Sequence, residues 1–243
     1  MLRPGAYSRR SFDLEVFVAG KALIFWGGWD GHQPKEVAEV FRRVLSEEKF
    51  EVTVSDTLDS LNDVEKLKQL DLIVPVWTAG TLTPEQQKSI CTAVREAGVG
   101  IAGCHGGMCD AFRNACEYQF MTGGQWVAHP GNDNVKYTVR IKDPNHPTLK
   151  GVKDFEVASE QYYMHVDPGL KVLADTKFPT PGADGPHVPN GEIAMPVIWT
   201  KMYGKGRVFY SSLGHSAKIV ADEPHLSIMR RGFKWAAEGK IRG

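Results

Sequence analysis

Runs in which every position is apolar alternate, over the first half of the chain, with segments whose apolar residues recur every three or four positions. Ala22-Leu23-Ile24-Phe25-Trp26, Leu72-Ile73-Val74-Pro75-Val76-Trp77 and Gly98-Val99-Gly100-Ile101-Ala102 are of the first kind, and Phe50 to Val54 adds a further strand. A strand with no polar face is covered on both sides, which predicts a buried parallel sheet. Between these runs, Pro34 opens a helix with Val37, Val40, Phe41, Val44 and Leu45 on one side, and a short helix is predicted over 64–70. Thr83-Pro84-Glu85 starts a third helix, continued by Ile90, Val94 and Ala97. Strands joined by helical crossovers wind helices onto both faces of a sheet. The expected class is therefore α/β, with a flavodoxin-like, doubly wound, mostly parallel sheet.

The second half is more broken. Val135 to Ile141 alternates as a one-sided strand does, Phe155-Glu156-Val157 is a short strand, and Ala194 to Thr200 and Gly206 to Leu213 are two more. The proline- and glycine-rich stretch from Asp175 to Glu192 is predicted to be one long loop, of the kind that is usually functional. Leu226, Met229, Phe233 and Trp235 mark a closing helix. Residues 1–20, with Arg3, Arg9 and Arg10 and alternating Phe12, Leu14, Val16 and Val18, are set apart as an N-terminal leader, and 21–239 are expected to form a single domain.

Composition narrows the partners. With 29 basic and 29 acidic residues the chain has no net charge, which disfavours nucleic acid and anionic membrane surfaces. No apolar stretch is long enough for a membrane helix, and the first twenty residues lack the apolar region of a secretion signal. Cys91, Cys104, Cys109 and Cys116 include no Cys-x-x-Cys pair, so they are read as reduced thiols in a cytoplasmic protein. The expected partner is a small molecule, with further copies of the chain as a second option.

The chemistry centres on Gly103-Cys104-His105-Gly106-Gly107, which follows a strand and precedes a helix. That is the pattern of a nucleophile elbow, a tight turn that lifts its middle side chain above the sheet. Here the middle residue is His105, which transfers protons near neutral pH or binds metal. His32, Trp77-Thr78, His105 and Gly214-His215 all follow or end predicted strands, and the carboxyl ends of strands form the ligand crevice of an open α/β sheet. His129, Glu160, Tyr162, Tyr163 and His165 are expected to approach the same edge. His146, His187 and His225 each lie beside a proline and are read as surface turn residues. Trp26 is assigned to the core; Trp29, Trp77 and Trp126 are candidates for a sugar platform or for core packing. Cys104, next to the elbow residue, is expected to be buried and idle.

Taken in order, the Gly-Cys-His-Gly-Gly elbow, Gly123-Gly124-Gln125-Trp126-Val127-Ala128-His129-Pro130, Glu160-Gln161-Tyr162, and Gly204 through Leu213-Gly214-His215 resemble the trehalose-utilisation (ThuA-like) family. The resemblance spans about Lys21 to Gly239. It implies a class I glutamine amidotransferase-like fold and a place in bacterial sugar catabolism beside oxidoreductases that make 3-keto sugars. Two departures from the amidotransferase pattern speak against a glutaminase. His105 stands where the cysteine nucleophile would, and His215 is followed by Ser216-Ala217 with no carboxylate two residues on.

The expected function is then an enzyme acting on a sugar or 3-keto glycoside by acid–base chemistry, whether hydrolysis, elimination or isomerisation. His105 is cast as base, Glu160 as its orienting partner and His215 as acid, with His129 and Tyr162 holding hydroxyls and His32, Trp29 and Trp77 completing the substrate site. No cofactor is expected: Gly27-Gly28-Trp29-Asp30-Gly31 is not a dinucleotide-binding fingerprint. The alternatives are a divalent metal such as zinc held by residues from His32, His105, His129, Glu160 and His215, with His165 as a further candidate, a non-catalytic sugar-binding protein, or a subunit of a dehydrogenase.

Overall fold

The all-apolar runs become the interior of one nine-stranded sheet in the computed structural model, which describes residues 20–241. The leader expected over 1–20 lies outside the described residues except for Gly20, which begins the first strand. Strands β1 (Gly20–Gly28), β2 (Phe50–Ser55), β3 (Leu72–Thr78) and β4 (Gly100–Cys104) are parallel and lie in the order β2-β1-β3-β4. Helices α1 (Pro34–Glu47), α2 (Val64–Lys68) and α3 (Pro84–Ala97) make the crossovers. The start of α3 is set by its sequence: the Thr83 hydroxyl accepts from the Gln86 amide at 3.2 Å and the Gln86 side chain accepts from the Thr83 amide at 3.0 Å, a reciprocal cap ahead of Pro84.

After the elbow come two short helices, α4 (Gly106–Cys109) and α5 (Cys116–Thr122). Strands β5 (Gly124–Ala128), β6 (Val135–Ile141), β7 (Phe155–Ser159), β8 (Tyr163–Val166), β9 (Lys171–Phe178), β10 (Ile193–Tyr203) and β11 (Gly206–Ser211) follow, then helices α6 (Ala217–Ala221) and α7 (His225–Ile241). β11 returns parallel to β4, and β10, β9, β6 and β7 extend the sheet antiparallel beyond it. β5 and β8 form a separate antiparallel pair. The fold is a doubly wound α/β sheet of the flavodoxin-like kind, parallel over β2-β1-β3-β4-β11.

Alternate residues of the central strands feed two cores. Ala22, Ile24, Val74, Val76 and Phe209 pack with Phe41 of α1 and Phe233 of α7 on one face, where Trp26 is partly buried as expected. Leu23, Phe25, Ile73, Ile101 and Tyr210 pack with Ile90 and Val94 of α3 and Tyr118 of α5 on the other. Each such fully buried large side chain contributes roughly 1.5–3 kcal/mol. Close approach of α7 to β4 depends on Gly100, where a β-carbon would stand 2.5 Å from the Ala236 backbone. No helix among the described residues is long and apolar enough to cross a membrane.

Two expectations change. The predicted loop from Asp175 to Glu192 is shorter, because β9 runs on to Phe178 between β10 and β6. Asp175, the first residue of the predicted loop, is buried within β9 against Arg140 at 2.6 Å. His146, His187 and His225 are buried rather than at the surface. His146 reaches the Thr148 hydroxyl at 2.8 Å, His187 packs edge-on to Phe178, and His225 opens α7 beneath the last strand.

Burial pushes the His225 pKa down to about 4 from an ordinary 6.5. The unfolded chain therefore binds this proton more readily than the folded one. The contribution of His225 to stability is fully present above pH 6.5 and is lost as the pH drops toward 4, by about 2 kcal/mol at pH 5 and on the order of 3 kcal/mol in all. Urea unfolding at pH 7 and pH 5 checks this: His225→Leu should lose markedly less stability on acidification than the wild type, and equal losses would rule it out.

Candidate active site

The paired registers Gly28↔Thr78 and Ser211↔Cys104 bring the carboxyl ends of β1, β3, β4 and β11 to one edge. At that edge a 3-10 turn (Asp30–His32) presents His32, β3 ends in Thr78, the elbow carries His105, and the segment after β11 carries His215. Glu160, between β7 and β8, enters from the antiparallel side.

His105 has φ 50° and ψ −144°, a region a non-glycine residue occupies only when its surroundings enforce it, at about 1–3 kcal/mol. Its amide donates to the Ser211 carbonyl at 2.7 Å, and its carbonyl accepts from the Tyr210 hydroxyl at 3.0 Å and the Cys109 amide at 3.2 Å. The next residue has to be glycine, since a β-carbon on Gly106 would lie 2.5 Å from the His32 ring. The turn anticipated from Gly-Cys-His-Gly-Gly is thus present.

Four imidazoles surround the Glu160 carboxylate. Oε2 lies 3.1 Å from His105 Nε2, 3.3 Å from His215 Nδ1 and 3.8 Å from His32 Nε2, and Oε1 lies 3.8 Å from His129 Nε2. His105 Nδ1 stands 2.8 Å from the Ser212 carbonyl, and His32 Nδ1 is 2.9 Å from the Thr78 hydroxyl. Tyr137 donates to the backbone carbonyl of Glu160 at 3.0 Å, and the Gln161 side chain bonds Thr176 and Lys177, so the loop that holds the carboxylate is anchored on both sides. Tyr162 stacks on His105 with ring centroids 3.9 Å apart.

Burial divides the group. His105 is 1% exposed, and His32, Glu160 and Tyr162 are also buried. His215 and His129 keep 18% and 32% of their side chains exposed and line the open side. Beside His129 lies a cleft of about 550 Å³, walled by Trp126, Pro130, Tyr163, His187 and Asn190. The space behind His32 and His105 is only about 10 Å³. Burial would raise the Glu160 pKa, but contacts from His105, His215 and His32 hold it far below the usual carboxylate range. Burial lowers His105 to about 4, against the pull of Glu160, while the nearby carboxylate raises His215.

His32, His105, Glu160 and His215 come together as the strand ends implied, and His129 joins them from the carboxylate's other oxygen. His105, cast as base, has both ring nitrogens engaged and no open face, and Tyr162, cast as holding hydroxyls, is packed beneath it. Trp77 lies in the α3-side core, its ring against Gly27 and Gly80, and so does not wall the cleft. Trp29 is 55% exposed with His32 edge-on at 4.7 Å. His165 is exposed on β8 and takes no part in the cluster. Cys104 is buried, and burial pushes its thiol up to about 12. Thr78 and Ser212, which orient His32 and His105, lie in segments the sequence singles out but are given no role there, and Tyr137, which bonds the Glu160 carbonyl, stands in a strand with no motif.

A family model described as ThuA, trehalose utilisation, matches residues 21–236. Among solved structures, a ThuA-like protein from Bacteroides uniformis is 18% identical with a TM-score of 0.72, covering 96% of this chain and 95% of its own. One from Parabacteroides merdae is 19% identical with a TM-score of 0.69, covering 91% of each. The glutaminase domain of CTPS from Trypanosoma brucei, with bound acivicin, is 11% identical with a TM-score of 0.51, covering 90% of this chain and 94% of its own. A comparison with curated proteins gives no match. At these identities the structural likenesses are of fold, and the glutamine amidotransferase-like architecture is shared. The match to the family model covers most of the chain, and the chain belongs to the ThuA, trehalose-utilisation family.

Proposed function

We propose that the chain is an enzyme of carbohydrate catabolism that acts on a sugar or 3-keto glycoside at the pit around Glu160. The observation that carries the reading is the convergence of four imidazoles on one buried carboxylate, at an elbow whose nucleophile position holds His105. Acid–base residues with perturbed environments in a cleft are typical of reaction centres. The family description, trehalose utilisation, supports a sugar as substrate. Trp126 supports it further as an aromatic residue of the cleft wall, its ring held by the Arg113 guanidinium 4.6 Å from the centroid.

Hydrolysis through elimination, elimination itself and isomerisation share one first step on a 3-keto glycoside, removal of the proton beside the carbonyl. The C–H electron pair moves into the enolate and the charge goes to the carbonyl oxygen; in elimination that pair then expels the glycosidic oxygen, which takes up a proton. His129 and His215, the two imidazoles on the open side, are the groups able to accept and return protons. Glu160 holds their charge and orientation, and His105 and His32 brace Glu160 from beneath. The group works without a thiol nucleophile, in contrast with a glutaminase.

The test is incubation with 3-keto α- and β-glucosides, following products by NMR. Consumption with hydrogen exchange beside the carbonyl is expected. Inertness toward the whole panel, with the parent glycosides and free 3-keto sugars also unchanged, would exclude the reading.

A further inference from the structure

We propose that His32, His105, Glu160 and His215 together seat a divalent transition-metal ion of the zinc class, bound through three imidazole nitrogens and one carboxylate oxygen. The inference rests on the reading of this pit as the reaction centre and adds the ion that completes it. One ligand atom from each of the four residues lies within 4.8 Å of all the others. Zinc at about 2.0–2.1 Å from tetrahedral ligands sets neighbouring ligand atoms about 3.3–3.5 Å apart. The three contacts of Glu160 Oε2, at 3.1, 3.3 and 3.8 Å, bracket that spacing.

Hydrogen bonding among these groups alone leaves conflicts that a cation removes. A neutral imidazole carries one N–H, yet both nitrogens of His105 face pure acceptors, the Ser212 carbonyl at 2.8 Å and the Glu160 carboxylate at 3.1 Å. In either neutral tautomer one lone pair faces another, and only a second proton on the ring or a cation between the two groups removes the conflict. An ion between Nε2 and Oε2 turns that repulsion into two bonds, with the Nδ1 proton given to Ser212. His215 Nδ1, although 3.3 Å from Oε2, is off the hydrogen-bond direction and is a buried nitrogen without a hydrogen-bond partner. Outer contacts match as well: metal-binding histidines usually give their second nitrogen to a carbonyl or hydroxyl, as His105 does to Ser212 and His32 to Thr78.

Three nitrogens and one oxygen suit zinc and its neighbours, whereas magnesium and calcium take oxygen shells. With the ion bound His215 is a ligand, and proton transfer falls to His129 alone, which stays outside the four on the cleft side, so that a sugar carbonyl or hydroxyl oxygen approaching from the cleft has the ion on one side and a free imidazole on the other.

The experiment uses untagged full-length protein stripped with EDTA and titrated with Co²⁺, then Zn²⁺, by calorimetry and visible absorption. One ion per chain is expected, with the intense d–d bands of low-coordinate Co²⁺ displaced by Zn²⁺. Glu160→Gln and His32→Gln should each weaken binding about 100-fold, and Thr78→Val, which keeps every ligand, about 10-fold. His129→Gln should leave binding unchanged. Absence of saturable binding in protein with a native circular dichroism spectrum, or binding that Glu160→Gln does not alter, overturns the proposal. Full turnover of a 3-keto glycoside by stripped protein would also overturn the ion while leaving the reaction reading intact. One bound ion in a protein inert to every sugar tested would uphold the site and defeat that reading.

Discussion

Glu160→Gln is expected to cut turnover of a 3-keto glycoside by about 10³-fold or more while the protein stays folded. The amide keeps the size of the side chain but removes the one negative charge on which His32, His105, His129 and His215 converge. Placed acid–base groups are worth about 10²–10⁴-fold each, and loss of the shared anion affects both open-side imidazoles at once. Glu160→Asp keeps the charge but draws it back by one methylene, and should fall between the two. The measurement is kcat and KM for all three proteins, with melting temperatures as the folding control. Near-wild-type kcat in Glu160→Gln would remove the carboxylate from the reaction.

The second large effect is on stability. Trp199→Ala should cost about 3–5 kcal/mol, a fall in melting temperature of about 6–20 °C for a domain of this size. Trp199 is fully buried in β10, tilts against Tyr210 at 4.3 Å between ring centroids, and donates its indole N–H to the Thr122 carbonyl at 3.0 Å. Its ring fills the space over Gly124, where a β-carbon would stand 2.8 Å away. Truncation opens a cavity and leaves the Thr122 carbonyl at the end of α5 without that donor, just ahead of β5, which leads to Trp126 and His129. Trp199→Phe should recover part of the loss, since it refills volume without the donor. A change of under about 1 kcal/mol for the alanine variant would show that the site repacks.

Much of this was legible in residue pattern. Apolar runs with no polar face, such as Leu72 to Trp77, have few other places to go than the middle of a sheet, and the glycines around His105 leave little choice of turn. The histidines at strand ends could be gathered on topology alone, because carboxyl ends in a parallel sheet share an edge. Side-chain direction was less legible. Trp77 and Thr78 are neighbours in one strand and point to opposite faces, so one packs in the core and the other braces His32. Burial of His187 and His225 depends on distant partners that a prolyl neighbour does not announce. The extension of β9 through Asp175 was hidden for the same reason, since its partner Arg140 lies far from it in sequence.

The position of β11 bears on how the chain is made. It pairs with β4 on one side and β10 on the other, in the middle of the sheet, yet is the last strand in chain order. During synthesis β4 presents an open edge from the time it emerges until β11 arrives, about a hundred residues later. That pairing has a high sequence separation and so closes slowly. A nascent chain halted before Gly206 has neither the central strand nor His215, and its exposed edges invite pairing with another copy.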